Sequence, residues 1–334
     1  MKWLQFLLSL LLFYSCTDTE TDKVGLPSNN VLSITIDKNG LKWITTDNGI
    51  VTFDGKIWKQ VSTGNAALNN DVHAMLVLTD SIWFASNIGL IKAKNNGTSV
   101  TNPLVINSQN SNLMGDSVFC SEFNTNQLCF FGTNNGLSLY KNGNWFSYRG
   151  QWGRRNETFL DQYNISDIAC ASDGWNYVTT VGGGVSRFKY SETDAVSGAT
   201  RFFQPWAYGL KSDTVYTVCV VNDSCQWFGT NQGAAFHGSA YTKADWTSYS
   251  RVDGLASDTV YAIAADKTGS VWFGTSNGLS NFANNTWTSY TTKDGLVSNK
   301  INSVVIDTDG SVWVGTNEGL GHLKNNSWDN YQKK

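Results

Sequence analysis

Three imidazoles, His73, His237 and His322, are all that this 334-residue chain offers as ordinary general bases. None has a second histidine or a cysteine at metal-ligand spacing, so no metal site is expected. Six cysteines are present, Cys16 and then Cys120, Cys129, Cys170, Cys219 and Cys225. They form no CxxC pairs, and the five after Cys16 read as small apolar residues in strands. The tetrads DKNG (37–40) and DTDG (307–310) look like the start of a calcium loop but lack its later acidic ligand, which leaves them as hairpin turns. The runs GTNNG (132–136) and GTNEG (315–319) are followed by no helix, so they cannot cradle a phosphate, and no cofactor is expected. The residues that remain suit recognition. A stretch from 149 to 164 carries Trp152, Arg154, Arg155 and Tyr163, and a second aromatic stretch carries Trp206 and Tyr208. Indole faces and guanidinium groups on loops fit a sugar ring or an anionic group.

The elements that position these residues are written as a repeat. An aromatic residue followed six places later by glycine recurs at Trp43/Gly49, Trp83/Gly89, Phe130/Gly136, Tyr177/Gly183, Trp227/Gly233, Trp272/Gly278 and Trp313/Gly319. Successive anchors stand 40 to 50 residues apart, the period of propeller blades. Each copy divides into an alternating strand such as VLSITID (31–37), the anchor strand, a third strand after an NG-type turn, and a fourth strand bearing tryptophan such as TWTSYTT (286–292). Glycine, aromatic and β-branched residues abound, with 31 Gly, 14 Trp and 3 Pro, and no amphipathic helical period appears. The expected fold is all-β: a seven-bladed β-propeller with four antiparallel strands per blade, over 29–334. Repeat two has no tryptophan in its fourth piece, so a ring of six blades with one irregular element is the alternative.

A meander of four strands is apolar on both faces and needs a neighbour on each, which a closed ring supplies. The first copy opens on its innermost strand and the seventh ends on its outermost one, so closure is expected to rest on packing between end blades without an exchanged strand. That seam is the expected place of local opening. The third position of the innermost strand is small in most copies, as in Ser33, Ala74, Ala262 and Ser303, because the strand lines the axis. Asp167 breaks the column and needs a partner. The second position holds His73, Phe119, Tyr216, Tyr261 and Asn302, placed just below the rim as a pocket wall. His73 is the one histidine near the axis and reads as ligand-lining; His237 and His322 fall in third strands, away from it.

Residues 1–16 join one lysine to an apolar run that ends in Ser15-Cys16. They read as an export signal resembling that of bacterial lipoproteins, with Cys16 as the lipidation site and 17–28 as a flexible tether. A formal net charge of −3 argues against nucleic acid as a partner.

Two copies carry a longer signature, DGLASDTVYAIAADKTGSVWFGTSNGL (253–279) and DGLVSNKINSVVIDTDGSVWVGTNEGL (294–320), and these resemble the two-component regulator propeller repeat. The resemblance implies a sensor-type propeller of the cell envelope of Bacteroidetes, where many relatives respond to carbohydrates. Here it comes with one ring's worth of repeats and no kinase, immunoglobulin-like domain or transmembrane helix. The resulting expectation is a monomeric, non-enzymatic recognition module, lipid-anchored and facing the periplasm or the cell surface. It would bind a carbohydrate or an envelope protein, and its only membrane attachment would be the lipid. A protein scaffold is one alternative, and a lyase or hydrolase using acids that converge in the central channel is the other.

Overall fold

The computed structural model describes residues 25–61, 72–96, 100–124, 126–148, 164–190, 197–202, 209–238 and 246–334. They form seven four-stranded antiparallel sheets, each in simple up-and-down order. The blades span 31–60, 72–106, 118–148, 165–202, 215–249, 260–290 and 301–331. Repeat two is therefore a complete blade, with Val100–Ile106 as its outermost strand. Pro103 is tolerated there because a missing N–H costs little on an edge strand. In blade four the turn holds one extra residue: Thr180 Oγ1 donates to the carbonyl of Gly184, where the other six blades close the same bond three residues on. The turn glycine of that blade is thus Gly184, one place beyond the expected Gly183.

Each innermost strand packs on that of the next blade, and the innermost strand of blade seven packs on that of blade one. The core is accordingly seven separate clusters, one in each groove between blades. In the groove between blades five and six, Trp227, Val260, Val271 and Phe273 are buried together. Between blades six and seven it is Leu279, Ile301, Val304 and Val314. The glycine of the anchor strand exists for this contact: a Cβ on Gly274 would lie 2.5 Å from Ile301 Cγ2. The small third-position residues have the same cause. Cys120, Thr217, Ala262 and Ser303 lie opposite these glycines across the hairpin, and Ser33 and Ala74 opposite Thr45 and Ala85, on the face that the next blade approaches. Their smallness thus answers to the neighbouring blade rather than to crowding at the axis.

Among the described residues no strand is exchanged at the seam. Side chains bind it. Lys42 Nζ meets Asp307 Oδ2 at 2.5 Å, with both side chains 9% exposed. Asn302 Nδ2 donates to the carbonyl of Val31 at 2.9 Å, and the Ile34 amide donates to Ser303 Oγ at 3.2 Å. Leu26 is buried here beside Trp313 and Leu320, so the folded part starts within the stretch expected to be tether. The loops leading into blades six and seven repeat one construction. Ser250 with Asp253, and Thr291 with Asp294, form capping boxes on a single 3-10 turn, each closed by a left-handed glycine. Gly254 has φ 117°, and a Cβ there would lie 2.7 Å from Trp287 Cβ, so both backbone and packing demand glycine.

Candidate functional site

On the face where the innermost strands begin, the channel opens into a cavity of about 440 Å³. Its wall contains all five expected second-position residues, His73, Phe119, Tyr216, Tyr261 and Asn302. Leu32 and Ser166 complete the same column in blades one and four, and Asn164, Ile165 and Val181 join at the blade-four side. Leu32 and Ser166 follow from the column once the copies are aligned, whereas Asn164 and Ile165 come from the entry to the blade-four strand and Val181 from the turn between second and third strands. A bulge after the first residue of the strand recurs in all seven blades, and it turns the second side chain into the mouth.

Two aromatic pairs stand on separate arcs. His73 and Phe119, from blades two and three, have ring centroids 5.8 Å apart. Tyr216 and Tyr261, from blades five and six, are 5.3 Å apart. The smaller Ser166 on blade four separates the pairs on one side, and Leu32 and Asn302 do so on the other. The described lining contains no carboxylate, lysine or arginine. Ser166 is committed to structure, donating to the Val215 carbonyl at 2.5 Å. Asn302 uses its amide nitrogen at the seam, which leaves its Oδ1 as an acceptor on the cavity wall.

One residue deeper, Asp167 has the partners its burial requires. Its Oδ1 accepts from the Ile168 amide at 2.8 Å, and its Oδ2 accepts from Thr217 Oγ1 and the Val218 amide, each at 2.9 Å. Burial pushes its carboxyl up to about 6 in spite of these donors. Glu122, on the next blade round, is pushed up to about 7, first by burial and in smaller part by the charge of Asp167. The two acids thus lie near enough for their charges to interact, and no linear motif joins them. Asp167 spends both oxygens on donors from its own strand and from the next blade, so it acts as a strap between blades four and five.

The other candidates separate from this site. His237 is buried in blade five with Nδ1 2.9 Å from Gln226 Oε1, and His322 stacks on Trp313 at 3.9 Å; both lie in third strands as expected. The five cysteines are unpaired thiols, and burial raises the Cys129 thiol to about 11. Trp152, Arg154, Arg155, Tyr163, Trp206, Tyr208 and Cys16 lie outside the described residues. Among the described residues no group of histidines, cysteines and acids could hold a metal, and no helix is long and apolar enough to cross a membrane.

Fold and cavity together define a seven-bladed propeller with an aromatic-walled axial mouth whose described lining carries no charged side chain. Blades six and seven carry the repeat of the two component regulator propeller family, whose sequence model matches 254–277 and 295–318. No curated protein matches the chain in sequence. Among solved structures, it is similar to the extracellular domain of BT3049 from B. thetaiotaomicron, described as a hybrid two component system, with 22% identity and a TM-score of 0.71. That similarity covers 90% of this chain and 39% of the other, so the chain spans well under half of the extracellular domain it matches. It is also similar to virginiamycin B lyase from Staphylococcus aureus, at 14% identity and TM-score 0.66 over 93% and 98% of the two chains. A third likeness is to PorZ, a surface component of the type-IX secretion system of Porphyromonas gingivalis, at 15% identity and TM-score 0.67 over 91% and 46%. At these identities the likenesses establish the fold.

Proposed function

We propose that the chain is a non-enzymatic recognition propeller of the cell envelope, and that its axial cavity takes a neutral sugar residue of a glycan. The observation that carries this reading is the wall itself. Two aromatic pairs supply flat apolar faces, and the phenol groups of Tyr216 and Tyr261 with Asn302 Oδ1 supply a few polar contacts, as in small-molecule sites of this size. The absence of charge in the described lining favours an uncharged ligand over an acidic one, because nothing there would repay the desolvation of a carboxylate. The repeats of blades six and seven and the likeness to extracellular sensor domains support a place in the envelope. Anchoring through Cys16 and export by 1–16 belong to the same proposal.

A second reading has its own observation. Ile88, Val181 and Val252 are exposed on turns and a leading loop of the cavity face, Val252 at 93%. Exposed apolar side chains around a mouth suit a protein partner. Catalysis is disfavoured by the commitment of Asp167 to structural donors. The test is a thermal-shift screen of the full chain against neutral oligosaccharides, uronic acids and divalent cations. A ligand at a hundred times its dissociation constant adds about 2.7 kcal/mol to stability, enough to raise the midpoint by a few degrees. A shift confined to neutral sugars and lost in Tyr261→Ala supports the proposal; no shift with any sugar refutes it in favour of the protein partner.

A further inference from the structure

The groove between blades two and three departs from the plan of blades five and seven, as blade one does with Val61 opposite Ile50. In blade five the anchor Trp227 is enclosed by Tyr249 of the outermost strand, with ring centroids 5.4 Å apart. In blade seven Tyr331 covers Trp313 in the same way at 6.0 Å. The register places Tyr249 opposite Ala234 and Tyr331 opposite Leu320; in blade two the residue opposite the equivalent Leu90 is Ile106. An aliphatic side chain thus stands where the plan calls for a ring. The space it leaves is a cavity of about 320 Å³ at the circumference of the ring, walled by Trp83, Tyr140 and Trp145, with Leu104 59% exposed at its edge.

One cation stands in this cavity. Lys92 Nζ lies 4.7 Å from the Trp83 ring centroid and 5.0 Å from that of Tyr140, and 3.4 Å from the Tyr140 hydroxyl. Among the described residues no carboxylate is paired with it. The polar residues of the wall are otherwise engaged: Asn110 Nδ2 donates to the Val105 carbonyl and Ser111 Oγ to the Asn107 carbonyl. The cavity therefore presents aromatic faces and a half-buried ammonium, with little to satisfy the hydroxyls of a sugar. A ligand that fits must bring a flat apolar ring and one negative charge.

We propose that this groove is a second binding site, independent of the axial cavity, for a small aromatic carboxylate. The carboxylate accepts from Lys92 Nζ, and the ring lies against Tyr140 and Trp145, with the buried Trp83 behind them. The source could be a free aryl acid or the carboxy-terminal aromatic residue of a peptide.

The test is calorimetric titration of the full chain with indole-3-acetate, with a short peptide ending in tryptophan, with the neutral indole-3-ethanol and with glucuronate. Saturable binding of indole-3-acetate is expected, with the neutral analogue about tenfold weaker or worse, as a hydrogen bond to a charged group implies. Binding of the peptide at equal or higher affinity assigns the peptide source, and its failure assigns the free acid. Lys92→Met, which keeps the stem and removes the charge, should weaken indole-3-acetate by the same factor. Ile106→Tyr, which introduces the ring found in blades five and seven, should abolish binding and raise the melting temperature. Tyr261→Ala should leave this titration unchanged, which separates the site from the axial one. The proposal is overturned if indole-3-acetate shows no saturable binding, if the neutral analogue or glucuronate binds as tightly, or if Lys92→Met retains full affinity. Should Ile106→Tyr not fold, the Lys92→Met titration decides alone.

Discussion

Replacing Asp307 by alanine tests how the ring is held shut. Lys42 and Asp307 come from the first and last blades, and each side chain is 9% exposed. The carboxylate also accepts from the Thr308 amide at 2.7 Å, while the Lys42 ammonium lies 5.4 Å from the Trp313 ring centroid. Burial works against the charge on Asp307, but the Lys42 hydrogen bond, with the Thr308 amide, outweighs it and holds the carboxyl below its usual range. Removing the carboxylate strands an ammonium in a poorly hydrated seam, a change that costs about 3–5 kcal/mol. Replacing both partners, as in Lys42→Met with Asp307→Leu, removes the stranded charge and should cost far less. Urea denaturation of the single and double variants gives the two values, and hydrogen exchange at Ile34, whose amide donates across the seam, reports whether opening is local. A loss below about 1 kcal/mol for Asp307→Ala, the value of an exposed pair, would refute the reasoning. So would an equal loss in the double variant. The native carboxyl lies low, so this stabilisation is present above the usual carboxylate range and fades as pH falls through the native value.

Two further outcomes follow from the same geometry. Gly254→Ala should destabilise by about 1–3 kcal/mol in thermal or urea unfolding, because the new Cβ meets Trp287 at a left-handed backbone position; a neutral result would show that the loop leading into blade six can shift without cost. Asp167 and Glu122, raised to about 6 and about 7, make the native state hold more protons than the unfolded chain between the usual carboxylate range and those values. Their contribution is therefore fullest below the unfolded values and declines as pH rises toward 7, by about 3 kcal/mol each. Asp167→Asn should flatten that decline in a series of melts from pH 4 to 8, and an unchanged slope would remove Asp167 from the account.

The repeat made the blades legible, because the turn chemistry and the anchor aromatic recur whatever lies between them. Blade two shows the limit of that signature: its outermost strand keeps the apolar pattern of Val100, Val105 and Ile106 but not the tryptophan, and pairing needs only the former. The axial wall was readable as a column, since a strand position repeated around a ring becomes a ring of side chains. What was not readable depends on closure or on absence. Lys42 and Asp307 become neighbours only when the ends of the chain meet. Glu122 and Asp167 sit in different repeats at different strand positions, so no spacing joins them. The circumferential groove arises because Ile106 is smaller than the ring it replaces, and a vacancy has no motif. The third-position residues were correctly read as small, but for the wrong neighbour, because the approach of the next blade is invisible in a single repeat.

The most direct test of the central claim is binding of the full chain to an array of neutral and acidic glycans, with Tyr216→Ala/Tyr261→Ala run beside it. Neutral glycans of one class should bind, the double replacement should lose them, and Lys92→Met should keep them. Binding that survives loss of both tyrosines, or binding confined to acidic glycans, would contradict an axial cavity built for an uncharged sugar.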